Sequence, residues 1–182
     1  MSVRETFIGK ISLDPEKSEL MVGEELFSYH CDKFNTRILK GFEDTLGFDK
    51  ARDLLFTSSE STNYDALKGM FDLIEGETPQ DKLKSIFEMF KVLGHGDLYV
   101  KDINAKGGTI TAKKSYMVEG WLENQERWHW SKRTKPICHD ESGAIAAAFE
   151  IANGLDKGSV TVNETECSVT GASECVFNVE VK

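Results

Sequence analysis

Val160-Thr-Val-Asn-Glu-Thr-Glu-Cys-Ser-Val-Thr-Gly-Ala-Ser-Glu-Cys-Val-Phe-Asn-Val-Glu-Val181 decides the fold. Val160 and Val162 fall on one face of an extended segment, and Cys175, Phe177, Val179 and Val181 fall on one face of another. Thr170-Gly-Ala-Ser173 supplies turn chemistry between them, so the stretch reads as two antiparallel strands. Just upstream, residues 137–152 change period: Gly143, Ala144, Ala147, Ala148 and Ile151 give a helix a face of small residues that lets another element approach closely. Asn153-Gly154 closes that helix. Val118 to Trp130 has helical spacing too, and before it Asp97–Ile103 and Thr109–Met117 read as strands around an Asn104-Ala-Lys-Gly-Gly108 loop.

The first half is helical. Thr78-Pro79-Gln80-Asp81 is a helix start, with a hydroxyl cap, proline where its missing donor costs nothing, and an acid in the first turn. Leu83, Ile86, Phe87, Phe90 and Leu93 supply its buried face. Phe27, Cys31, Phe34, Ile38 and Phe42 recur at three-and-four spacing, predicting an earlier helix that buries this stripe and ends at Gly47. Leu54, Leu55, Ala66, Leu67, Met70, Phe71 and Ile74 continue helical spacing, with polar residues 57–63 as an interruption or a solvated turn of one long helix. Asp14-Pro15-Glu16-Lys17 suits a hairpin. The expected class is α+β, with N-terminal helices and a C-terminal antiparallel sheet that has helices packed on one face.

Composition bounds the function. With 182 residues, 40% hydrophobic and 29% charged, and no linker-like stretch, one domain over 1–182 is expected, mainly helical over 1–93. Acids outnumber bases 31 to 22, for a net charge of -9, which argues against nucleic acid. The longest apolar run, Ala144 to Phe149, is too short to span a bilayer, and the N-terminus has no secretory pattern; the expectation is a cytoplasmic protein without integral membrane contact. Arg127 to Lys135 is a basic run with interleaved tryptophans, either a solvated loop or a contact for an anionic partner. No nucleotide-binding glycine motif or serine-hydrolase elbow occurs, and no catalytic or organic cofactor-binding residues emerge.

Four cysteines are too few for a disulfide scaffold, so their placement matters. The terminal hairpin gathers Cys167, Cys175 and Glu164, and Cys138 arrives from the start of the 137–152 helix. Three thiolates and a carboxylate suit a closed, structural tetrahedral Zn²⁺ site. His139 competes with Glu164 as fourth ligand, and buried free thiols or a Cys167–Cys175 disulfide are the alternatives.

Cys138, Val162-Asn-Glu-Thr-Glu-Cys167 and Gly171-Ala-Ser-Glu-Cys175-Val-Phe177 resemble the C-terminal signature of the 4-vinyl reductase domain family: a cysteine, then E-x-x-C, a glycine turn and C-x-F. The resemblance covers residues 94–182, with Lys114 departing from the amide residue common near Ser115. It implies a structural zinc on Cys138, Glu164, Cys167 and Cys175 beside a pocket for a small hydrophobic molecule, as in the aromatic-sensing domains of phenol-responsive activators. It also implies a TRAPP-like fold and a homodimer paired through helices. His95 lies near the position of a ligand-binding histidine in the phenol sensors. Tyr116, Trp121, Trp128 and Trp130 concentrate amphipathic aromatics in fifteen residues, as pocket wall or simply as core. Cys31, on its apolar stripe, is expected to be buried.

The function expected is a stand-alone, zinc-stabilised binding protein for a small hydrophobic or aromatic ligand. Because the chain stops at Lys182, it is expected to pass its signal or cargo to a separate partner. An enzyme or accessory factor in tetrapyrrole vinyl reduction is the alternative, and a TRAPP-like scaffold the third reading.

Overall fold

A computed structural model describes residues 2–28 and 30–182. Ser2 and Glu5 form a capping box on α1 (Val3–Ile8). A three-stranded antiparallel sheet follows, β1 (Ile11–Asp14), β2 (Glu19–Val22) and β3 (Glu25–Phe27), with the Asp14–Lys17 hairpin where the turn residues place it. The helices α2 (Asp32–Leu46), α3 (Phe48–Gly69) and α4 (Pro79–Val92) come next, a 3-10 turn at Phe71–Leu73 separating the last two. Then come β4 (Gly96–Asn104), β5 (Gly107–Ser115), α5 (Tyr116–Arg127), α6 (His139–Asn153), β6 (Val160–Glu166) and β7 (Cys175–Val181). The four later strands form one antiparallel sheet in the order β4-β5-β7-β6. Among the described residues, no helix is long and apolar enough to cross a membrane.

α6 is the axis of the core. It packs along α3 on one side and against β6 and α4 on others, and every residue from Glu141 to Ala152 is buried. The small residues make this possible: a Cβ on Gly143 would stand 2.3 Å from the Phe56 carbonyl oxygen and 2.8 Å from the Glu60 nitrogen. Polar residues 57–63 therefore belong to one continuous α3, since Ser59 and Glu60 lie at this crossing. Gly107 and Gly108, expected in a loop, are strand residues. Their hypothetical Cβ atoms would fall 2.0 Å from the Val179 oxygen and 2.2 Å from the Asp102 oxygen, so the close approach of β7 and β4 requires glycine.

Two expectations for the first helix are overturned. Phe27 belongs to β3, and α2 begins only at Asp32 with Cys31 as its exposed N-cap residue. α2 buries Thr36 and Leu39 rather than the aromatic stripe, because it lies against α5 at Gly120, whose Cβ would meet Asp32 and Thr36 side chains at 2.9 and 3.0 Å. Phe34, Ile38 and Leu46 consequently remain exposed.

Candidate functional site

Cys138 caps α6, Cys167 precedes the 3-10 turn at Ser168–Thr170, and Cys175 opens β7. The turn holds its shape through Gly171 at φ 108° and through Thr170, whose hydroxyl donates to the Cys167 carbonyl at 2.8 Å. Glu164 arrives from β6, where a bulge between Glu164 and Glu166 interrupts the register with β7. One donor atom from each of Cys138, Glu164, Cys167 and Cys175 lies within 4.8 Å of the others. The sulfurs are separated by 3.9 Å between Cys138 and Cys175 and by 3.7 Å between Cys175 and Cys167, so no disulfide joins them. Thiolates about 2.3 Å from a tetrahedral ion stand about 3.8 Å apart, which matches this spacing.

The carboxylate points the same way. Glu164 Oε2 accepts the Cys138 backbone N–H at 2.9 Å, while Oε1 is buried without a partner. Burial raises the Glu164 carboxyl to about 7 and pushes the Cys138 thiol well above its usual range. Cys175 is drawn down to about 3 by hydrogen bonds from Cys138 and Cys167 and by the Ser168 N–H. The cluster thus gathers four donors in a closed space, with Cys175 ionised and burial holding protons on Cys138 and Glu164, and could hold a metal ion, whose binding would displace those protons. Ser115 Oγ, 3.4 Å from Cys138 Sγ, adds a hydroxyl beside it.

His139 is turned away from the cluster. Its Nε2 stands 3.3 Å from Glu43 Oε1, and Glu43 also takes a forked pair of bonds from Arg133. Arg133 is only 8% exposed and donates to the Pro136 carbonyl at 2.8 Å, so the basic run is not simply a solvated loop. Burial opposes ionisation of Glu43, but Arg133 and His139 outweigh it and hold the carboxyl at about 2. Nothing in the spacing points to a pair ninety residues apart.

The aromatic candidates separate into two groups. His95 and Tyr116 meet edge-to-face with centroids 5.8 Å apart. Trp130 instead packs at a tilt against both Trp121 and Trp128, with Arg37 over Trp128 and Arg133 over Trp121, and Trp121 and Trp130 line an open groove shared with Lys40 and Lys132. His95 borders an inner apolar cavity of about 190 Å³ among α1, β3, α3 and α4, walled by Phe7, Leu67, Met70, Met89 and Phe90. Phe27, Leu93 and His95 also line a second cavity of about 370 Å³ that reaches Asp32, Asn35 and Tyr116. The His95 ring, enclosed beside Phe90, is pushed by burial towards its neutral form, with the Asp140 charge opposing. Tyr116 donates its hydroxyl to Asp140. Phe27, Leu67 and Met70 were read only as positions on a helix face, and Phe7 carried no signal beyond being apolar.

Residues 117–181 match the V4R domain family model. The V4R match spans α5 to β7 and contains all four donors of the cluster, which bears out the resemblance read from the cysteine signature. The phenol-responsive sensory domain of the transcription activator PoxR, with phenol, superposes at a TM-score of 0.80 with 15% identity, over 98% of this chain and 88% of that one. Trafficking protein particle complex subunit 3 from Naegleria fowleri, covalently bound to palmitic acid, aligns at 0.53 with 14% identity, over 83% and 95%. A vinyl-4-reductase family protein from Methanocaldococcus jannaschii aligns at 0.47 with 20% identity, over 83% and 90%. At these identities the first two similarities show a common α+β fold. No curated protein sequence matches the chain.

Proposed function

We propose that this protein binds a small hydrophobic or aromatic molecule in the inner cavity and that a structural Zn²⁺ on Cys138, Glu164, Cys167 and Cys175 rigidifies the wall behind it. The observation that carries the reading is the mainly apolar chamber of about 190 Å³, partly open beside Thr62, with the half-buried His95 imidazole on its border. An apolar cavity of about 150 Å³ stays dry and takes up benzene, so a chamber of this size suits a single substituted ring. His95 offers one donor and one acceptor to a ligand hydroxyl. The fold shared with a domain described as phenol-responsive supports the same class of ligand. Tyr116 belongs to the outer cavity, while Trp121, Trp128 and Trp130 brace the α2 side rather than the chamber. Native mass spectrometry for a retained ligand, followed by a thermal-shift screen of phenols, fatty acids and porphyrins, tests the reading. Stabilisation by phenols is expected, and no response to any apolar compound would sink it.

Zinc is favoured over harder divalent ions by three thiolates, and with four protein ligands the ion is structural. When bound, it would tie the start of α6 to the terminal hairpin. Elemental analysis of protein purified without chelator should return about one zinc per chain; a metal content far below that contradicts the assignment.

The exposed Phe34–Ile38–Leu46 stripe of α2 supports a homodimer paired through helices. Sedimentation at micromolar concentration should give twice 20.4 kDa, and Ile38→Glu should return the monomer mass. A wild-type protein that sediments only as the monomer refutes the pairing.

A further inference from the structure

The outer cavity differs from the inner one in the charges at its mouth. Asp32 borders it at the start of α2, and a neighbouring depression shares Asp32 and Tyr116 and adds Glu119 and Glu123 of α5. Asp32 Oδ2 accepts the Asn124 Nδ2–H at 2.8 Å, which fixes the carboxylate in place. Among the described residues, no lysine or arginine lines either cavity; the exposed His30 ring is the other titratable group on the outer one, and Glu119 is paired with Lys114 at 3.2 Å, which leaves Asp32 as the carboxylate facing the cavity. A ligand whose ring fills the inner chamber must leave its head group on the His95 side, where the two cavities share Phe27, Leu93 and His95.

Resting on the proposed ligand-binding reading, we infer that Asp32 is a specificity-determining residue: the site takes apolar molecules with a neutral or cationic hydrogen-bond-donating head, and rejects carboxylates. An anionic head would meet the half-buried Asp32 carboxylate with no lysine or arginine on the lining to balance it, so the two like charges repel at the open mouth of the cavity. A hydroxyl or ammonium would instead donate to that carboxylate. The imidazole, pushed towards neutrality by burial, supplies no compensating positive charge.

Three probes sharing one ring test this: benzyl alcohol, benzylamine and benzoate, titrated into the metal-loaded protein at pH 7.5. Wild type should bind benzylamine at least as tightly as benzyl alcohol, and benzoate at least about tenfold more weakly. Asp32→Asn, which keeps volume and a partner for Asn124, should weaken benzylamine and strengthen benzoate, each by about fivefold, with benzyl alcohol little changed. A Glu119→Gln/Glu123→Gln double variant on the exposed side of α5 should shift the same ratio more weakly, and it serves if Asp32→Asn does not fold. Simple exclusion of ions by an apolar cavity would penalise benzylamine and benzoate alike and leave their ratio unmoved by the substitutions; either result overturns the role of Asp32. Binding of none of the three removes the underlying ligand reading instead.

Discussion

Ala66→Leu puts the inner chamber to a quantitative test. Ala66 lines the cavity of about 190 Å³ from α3, between the buried Leu67 and the Met70 that also border it. Three added carbons return about 2 kcal/mol at about 0.8 kcal/mol each, against a packing strain of about 1–2 kcal/mol. The unliganded variant should therefore be as stable as wild type or up to about 1 kcal/mol more stable in urea. The space left would be smaller than the about 150 Å³ that admits benzene, so ligand should be excluded. A phenol at 100 times its dissociation constant should add about 2.7 kcal/mol to wild type, several degrees in Tm, and nothing to the variant. A variant that is destabilised by more than about 2 kcal/mol, or that still responds to the phenol as wild type does, refutes the location of the site.

Other outcomes follow from particular contacts. Gly143→Ala should lower stability by about 1–3 kcal/mol, because its Cβ would sit 2.3 Å from the Phe56 oxygen and α3 must retreat; a rise in Tm, as helix propensity alone would give, contradicts the crossing. Cys175→Ser should lower the melting temperature by about 10 °C and abolish the effect of chelator, and retention of both one zinc and wild-type stability would exclude Cys175 as a ligand. Glu150 lies fully buried, its carboxyl raised by burial and by the Glu60 charge to about 7, with the Val160, Ser159 and Gly158 N–H groups opposing. Because the folded pKa exceeds the unfolded value, this stability is present below about pH 4.5 and declines as pH rises through about 7, by about 3 kcal/mol at most. Glu150→Gln should flatten that part of the urea-midpoint curve; parallel curves for variant and wild type from pH 5 to 8 would refute the assignment.

The terminal hairpin was legible because alternation, a glycine turn and cysteine spacing all act over a few residues, and together they bring Glu164, Cys167 and Cys175 to one place. Cys138 required knowing only that a helix starts there. The Thr78-Pro79 start of α4 was readable for the same local reason. The face that α2 buries was not, since periodicity identifies an apolar stripe without saying which neighbour covers it, and here Gly120 draws α2 in by its Thr36 side. The chamber was also hidden. Its walls come from α1, β3, α3 and α4, and a cavity is a failure of packing among distant residues rather than a property of any one segment. The tryptophans drew attention by their density, yet their faces are taken by Arg37 and Arg133, which nothing in the local spacing foretells.

Crystals of the metal-loaded protein soaked in 4-bromophenol, with data collected at the bromine edge, examine the site directly. One anomalous peak should lie between Phe7, Leu67 and Met89, with the ring hydroxyl directed to His95. A bromine in the Trp121–Trp130 groove, or full occupancy nowhere in the molecule while the chamber remains empty, would contradict the assignment of this cavity as the ligand site.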